Sequence, residues 1–286
     1  MKIIIDTSFV CYRSLYGMPG LSHDEKNTHI IFNFLNVVLK LALEFKTSDF
    51  IFVFDSKNSY RKLVYPQYKE NRTKQDKTEQ EKIDLKDMFR QRDDLRIKVL
   101  PYMGFKNIFQ QSGYESDDII AEIVKKYKED QFLIVQRDED LYQLLEKERV
   151  VLYDLKQKYT EDEFTVEYFG IHPSDWRYVK SISGCLGDNI TGIERVGDIT
   201  AAKYLAGLLK PGKILTKIEE QRSHFTEINF PLVSLPYSKG AKPLKIELQM
   251  DTPDLDNFKS LFGQYGFRYF LSEKIWGKWA TMFIPF

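Results

Sequence analysis

The chain has 286 residues, and 42 Lys+Arg balance 42 Asp+Glu to a formal net charge of zero, which at face value argues against a nucleic-acid partner. Hydrophobic residues make up 43% and aromatics 14%, enough for a sizeable core, which excludes a largely disordered chain. No apolar run approaches the ~20 residues that cross a bilayer, Asp6 breaks the apolar start, and the two cysteines, Cys11 and Cys185, make no disulfide framework, so a soluble protein of a reducing intracellular compartment, with no membrane partner, is expected.

In chain order, Ile3 to Asp6 reads as a short buried strand ending on a carboxylate. Residues 28 to 45 are mostly apolar without Gly or Pro and predict a buried helix with Thr28 as N-cap. Residues 49–55 (DFIFVFD) form a second apolar strand ending on Asp55. Residues 57 to 98 are polar and charged, with little apolar periodicity. A third strand is expected at 105–110, then Glu115 and a helix from about Ser116 to Tyr127. Strands follow at 132–138, ending on Asp138, and at 148–154. Gly-rich turns between about 184 and 197 open a second, helical region, while residues 211 to 286 have mixed patterns. Alternating strands and helices indicate an α/β fold with a mainly parallel central sheet flanked by helices. Sites in such folds form outside the carboxyl ends of the strands, where several of these acids fall.

The neutral total hides opposed poles. Lys57 to Lys77 carries seven basic and two acidic residues, +5; Glu115 to Asp140 carries nine acidic and four basic, −5; Arg195 to Lys217 carries five basic and one acidic, +4. Basic segments with an interleaved aromatic such as Tyr68 suit a phosphate backbone, since Lys and Arg release counterions and rings stack on bases; a solvated loop has the same composition.

Glu115, Asp117 and Asp118 place three like charges within four residues, a repulsion that a divalent cation with oxygen ligands relieves. A helix N-terminus, where acids favour the dipole, accounts for the same pattern. Asp138, Glu139 and Asp140 repeat the theme, Asp6 and Asp55 end strands, and Asp188 sits in a Gly-Asp-Asn turn. Oxygen-rich donors select Mg²⁺ or Mn²⁺ over zinc, and the four scattered histidines offer no competing ligand set. Two such ions activate water and stabilise the leaving oxygen of a phosphodiester. Lys69 and Arg72, three apart, would share a helix face and clamp a phosphate.

Five stretches resemble the 5′ nuclease (flap endonuclease) superfamily, which includes the 5′ nuclease domain of bacterial DNA polymerase I and stand-alone phage 5′→3′ exonucleases. They are IIDTSFVCYRSLYGMP (4–19), FVFDSKNSYRKLVYPQYKENR (52–72), GYESDDIIAEIV (113–124), QRDEDLYQLL (136–145) and SGCLGDNITGIERVGDITAAKYL (183–205). They keep the family's order and spacing and cover roughly residues 2 to 210. The resemblance implies a PIN-like nuclease core at 1–180, including a helical arch at about 57–98, and a helix-hairpin-helix and C-terminal DNA-binding region at 181–286. It implies two Mg²⁺ ions, with Mn²⁺ as substitute, held first by Asp6, Asp55, Glu115 and Asp117 with Asp118 close by, and second by Asp138, Asp140 and Asp188. Lys69, Arg72 and Asp117 would carry catalysis, with Tyr68 stacking on a base at the foot of the arch and Arg13 near the substrate. Gly192 to Gly197, with Thr200 and Lys203, would hold duplex phosphates, with K⁺ at the hairpin. The implied activity is 5′→3′ exonuclease and flap endonuclease cleavage of DNA 5′ flaps or 5′ ends in replication or repair. RNA in RNA–DNA hybrids is a further substrate class, and a monomer in the cytoplasm of a bacterium or phage-infected host is expected. The length leaves no room for a polymerase domain.

The chain departs from the family twice. The pattern Gly-Asp-x-x-Asp-Asn reads Gly184-Cys185-Leu186-Gly187-Asp188-Asn189, so a neutral Cys replaces a carboxylate. The hairpin continues Gly197-Asp198-Ile199-Thr200-Ala201 where Gly-x-Lys-Thr-Ala is usual, which places an acid near DNA. A flap-binding protein with weakened catalysis owing to Cys185, or a related metal-dependent ribonuclease, are the alternatives.

Overall fold

The computed structural model describes residues 1–17, 21–23, 26–73 and 77–283; Lys74 and Asp76, counted in the basic segment, lie outside the described residues. The elements used below are β1 Lys2–Asp6, α1 Thr7–Leu15, α2 His29–Phe45, β2 Phe50–Val53, α3 Arg61–Val64, α4 Glu79–Asp94, β3 Ile108–Phe109, α5 Ser116–Lys126, β4 Phe132–Val135, β5 Val150–Tyr153, β6 Lys158–Tyr159, α6 Trp176–Ser183, β7 Gly184–Cys185, β8 Ile190–Thr191, α7 Asp198–Leu205, α8 Leu255–Gln264 and α9 Glu273–Phe283. They fall into two compact units, both discontinuous in sequence. The first comprises Met1–Phe54, Lys77–Phe109 and Ile246–Phe286, the second Asp55–Asp76 and Gln110–Lys245. The expected boundary at residue 180 falls inside α6 of the second unit.

In the first unit β1 and β2 run parallel, from Ile3↔Phe50 to Asp6↔Val53, and β3 joins β2 in parallel through Phe52↔Ile108. All four β2 residues are buried, without alternation, as in strands covered on both faces. Helix α2 buries Ile30, Ile31, Phe34, Leu35, Val38 and Leu39 and packs against α1, α4 and α9. Thr28 holds the N-cap position of α2 but makes no side-chain cap bond. Gln91 of α4, fully buried, does that work: its Oε1 accepts from Ile30 N at 3.0 Å and Ile31 N at 3.3 Å. A helix start needs acceptors for its orphan N–H groups, and here the acceptor comes from a distant part of the chain. Helix α4 itself starts on a capping box, with Thr78 and Glu81 bonding reciprocally. Much of the core is aromatic: Phe258 packs on Trp279 (5.6 Å between centroids), and Phe50 on Phe283 (6.1 Å). The extended segment near residue 250 bonds through Thr252 N to Gly104 O at 2.9 Å; a Cβ on Gly104 would meet that Thr252 carbonyl oxygen at 1.9 Å, so only glycine fits.

In the second unit β4 and β5 are parallel, Phe132↔Val150 to Val135↔Tyr153, and β6 is antiparallel to β5. Helix α5 buries Ile119, Ile120, Ile123 and Val124. Helices α6 and α7 pack together and are joined through the β7/β8 hairpin, Cys185 opposite Ile190. Gly192 is required there, because a Cβ would lie 2.0 Å from Ser183 O. Parallel pairing predominates in strands flanked by helices, so the α/β, mainly parallel class stands. Among the described residues no helix is long and apolar enough to cross a membrane.

Candidate metal and phosphate site

The acids of the second unit are set by backbone devices. Glu115 is the N-cap of α5, which puts Asp117 and Asp118 in its first turn, where the dipole favours them. Asp55, just past β2, accepts from Ser116 N at 2.9 Å and Ser116 Oγ at 3.0 Å. Past β4, the exposed Asp138 accepts from Asp140 N at 2.9 Å and turns the chain so that Asp140 is half-buried. Asp188 ends a tight turn between β7 and β8, with Asn189 in the left-handed region at φ 60°. Asp140, Cys185 and Asp188 thereby bring one ligand atom each within 4.8 Å of one another. Burial, followed by the charge of Asp138, pushes the Asp140 carboxyl up to about 7.

The basic segment reaches into this acidic ground. Lys69 Nζ lies 2.7 Å from Glu115 Oε2 and 3.7 Å from Asp188 Oδ1. Arg72 Nη2 lies 2.7 Å from Asp188 Oδ1, and its Nε donates to Gly187 O. Burial pushes the Glu115 carboxyl up, but Lys69 and Arg61 outweigh it and hold the group below its ordinary value. The Lys69 side chain is 21% exposed and that of Arg72 58%, so the first pair is the stronger and the second the more easily exchanged.

Two residues with expected roles are engaged by protein partners. Tyr68, expected to stack on a base, has a ring with 1% exposure and no free face. Its hydroxyl lies 2.9 Å from Glu115 Oε2 and 2.7 Å from Asp188 Oδ2, and its single proton can serve only one carboxylate at a time. Asp118, expected beside the first metal, is fully buried and bidentate with Arg61, at 2.6 and 2.8 Å; it also accepts from Tyr237 N and Glu115 N. Its oxygens are taken up by protein donors, and it anchors α3 to α5. Arg61 was missed in the sequence as an anchor. The signal was present: an Arg in the basic run closest to a triad of acids that needs compensation.

Asp6 and Arg13 belong to the first unit. Asp6, 3% exposed, ends β1 and caps α1 by accepting from Phe9 N at 3.0 Å; Arg13 is exposed in the last turn of α1. Asp198, expected to face DNA unfavourably, is instead neutralised. It accepts from Lys180 Nζ at 3.1 Å and from Ser183 Oγ, tying α7 to α6. Gly197 is the N-cap of α7, Thr200 and Lys203 lie on that helix, and the Lys203 ammonium sits 5.1 Å from the Phe169 ring centroid.

The donor set fits a divalent cation: carboxylate oxygens from Asp140 and Asp188, with a thiol in reach. The chain was compared with known proteins by sequence and by structure. The profile of the family described as 5′-3′ exonuclease, N-terminal resolvase-like domain, matches residues 1–170. A 5′-3′ exonuclease of Aquifex aeolicus (strain VF5) is 26% identical over 94% of this chain and 93% of its own length. DNA polymerase I of Streptococcus pneumoniae (strain ATCC BAA-255 / R6) is 27% identical over 93% of this chain, which spans 32% of that protein. Among solved structures, a bacteriophage T5 flap endonuclease in a pseudo-enzyme–product complex with DNA and metal ions superposes with a TM-score of 0.68 at 23% identity, over 82% of this chain and 89% of that one.

Proposed function

Because the chain belongs to the family of 5′-3′ exonucleases with the N-terminal resolvase-like domain, we propose that its second unit carries a divalent-metal site for cleaving DNA phosphodiesters near 5′ ends. The chain is a metal-dependent 5′ nuclease, acting as 5′→3′ exonuclease and flap endonuclease. The observation that carries the site reading is the ionic layer, in which Lys69 and Arg72 lie 2.7 Å from Glu115 and Asp188. Cations and carboxylates are interleaved there, so a phosphate can take over the cations as metal ions take over the acids.

We assign Asp140 and Asp188 to one ion, supported by Asp138. Asp55, Glu115 and Asp117 are assigned to the other by family resemblance, and Asp6 is proposed as a metal ligand on the same ground. Asp118 is left out of the ligand set because Arg61 holds it. Mg²⁺ is the proposed ion at the all-oxygen site of Asp55, Glu115 and Asp117, with Mn²⁺ as substitute. Bound there, such ions supply water activation and neutralisation of charge on the scissile phosphate. Lys69 and Arg72 orient the phosphate and balance charge developing on it. Tyr68 sets the spacing of Glu115 and Asp188 from beneath. The Gly192–Gly197 loop, Thr200 and Lys203 grip the duplex through its phosphates, with K⁺ at the loop, and Arg13 contacts the substrate. The substrates are 5′-flap and 5′-ended DNA, with RNA–DNA hybrids as a second class. The protein acts as a monomer in the cytoplasm.

A labelled 5′-flap duplex incubated with Mg²⁺ tests the reading. Cleavage near the junction, stopped by chelator, is expected. Asp117→Asn should lower turnover at least roughly 10²-fold, the loss typical for one preorganised electrostatic group, while flap binding persists. Tight, salt-sensitive binding without cleavage by the unsubstituted chain would favour a binding protein instead. Undiminished turnover of Asp117→Asn at saturating Mg²⁺ would remove Asp117 from the ligands.

A further inference from the structure

We infer that Cys185 is a direct sulfur ligand in the Asp140–Cys185–Asp188 cluster, so that this chain's site prefers a borderline or thiophilic divalent ion over Mg²⁺. The inference rests on the metal reading of that cluster and adds what its donors select.

Geometry comes first. The three ligand atoms lie within 4.8 Å of one another. Bonds of ~2.0–2.3 Å to oxygen and sulfur put three donors on one ion roughly 3.3–3.8 Å apart, so from an upper bound of 4.8 Å the cluster contracts by at most about 1 to 1.5 Å on binding. The backbone favours that placement. Cys185 pairs with Ile190 across the β7/β8 hairpin, and the turn Leu186–Asp188 returns Asp188 beside it. The sulfur and one carboxylate therefore share a rigid four-residue frame, while Asp140 comes from the turn after β4.

Chemistry comes second. A carboxylate at this position would complete an all-oxygen set, the choice for Mg²⁺. A thiol makes the set two oxygens and one sulfur, which suits Mn²⁺ less and Co²⁺, Zn²⁺ or Cd²⁺ better. Cys185 is also a packing residue, against Tyr68, Ile190, Leu232, Val233 and Tyr237. Packing alone does not explain a sulfur flanked by two carboxylates, where an apolar side chain would avoid their charge. Cys11, the other cysteine, is fully buried in the first unit, so a metal–sulfur signal reports on Cys185.

The test is a titration of the reduced full chain with Co²⁺ or Cd²⁺ alone, read by thiolate-to-metal charge-transfer absorbance. A band saturating at one equivalent is expected, together with metal protection of the cysteine from iodoacetamide in the unsubstituted protein. Cys185→Ser should lose the band and bind Cd²⁺ at least roughly tenfold more weakly, the lower end of what losing even a supporting residue costs. Cys185→Asp should lose the band and bind Mg²⁺ more tightly. A missing band and no protection in the unsubstituted chain, or a band that survives Cys185→Ser, would overturn the inference. Flap cleavage with Mg²⁺ despite a missing band would leave the nuclease reading standing. A Cys185-dependent band without any cleavage would support the sulfur ligand and defeat the nuclease reading.

Discussion

The two units solve burial in opposite ways. The first closes around rings and branched aliphatics: Phe50, Phe52, Phe258, Phe262, Trp279 and Phe283. The second also has an apolar core, but ion pairs of graded burial accompany it: the buried Arg61 with Asp118, then Lys180 with Asp198, Lys69 with Glu115, and the largely exposed Arg72 with Asp188. An apolar core is stabilised by water exclusion alone and responds little to salt or cations. A buried ion pair is stable only while each charge keeps a partner, and the more exposed pairs can exchange one partner for another. The difference concentrates exchangeable ion pairs around Glu115 and Asp188 in the second unit.

The comparison can be broken at its firmest point. Arg61→Met strands the fully buried Asp118 and should cost ~3–5 kcal/mol in urea unfolding. Adding Asp118→Leu should recover only part of that, because Tyr237 N and Glu115 N also lose their acceptor. Phe258→Ala in the first unit should cost a similar ~3–5 kcal/mol, but independently of salt and of added divalent ions. If the two variants respond alike to Mg²⁺, the contrast between the units is wrong.

Tyr68→Phe keeps the ring and removes the hydroxyl between Glu115 and Asp188. The expected loss is ~1.5–3 kcal/mol, the range for a hydrogen bond to a charged group. A change within error would show that the two carboxylates need no spacer. Arg72→Ala should shift stability by no more than ~1 kcal/mol, since its side chain is 58% exposed, while weakening flap binding in a salt-dependent assay. Unchanged flap binding would confine Arg72 to the surface.

Much of this was legible from residue order, and the exceptions have physical causes. Apolar runs located Ile3–Ile5, Phe50–Val53, Phe132–Val135 and Val150–Tyr153, because strands buried on both faces need no alternation. Helix α5 was legible from its acids followed by apolar spacing. Helix α4 was not, since its buried residues are Met88, Gln91 and Arg92, two of them polar. Its one visible mark was the Thr78–Glu81 capping box. The burial of Tyr68 and the pairing of Asp118 were hidden for a related reason. A polar residue in a polar segment reads as solvated until its partner, distant in sequence, is known. Cys185 was visible as a departure from the family pattern, but its nearness to Asp140 and Asp188 was not.

The cap that Gln91 places on α2 also sets when the start of that helix can be completed as the chain is synthesised. Helix α2 ends at Phe45, yet the side chain that caps its first N–H groups arrives only with residue 91, and the rings that close the same unit lie beyond residue 246. A chain leaving the ribosome can assemble residues 110–245 while the first unit still waits for its last segment. The ionic unit therefore has its complete sequence first, and the scaffold is the part finished last.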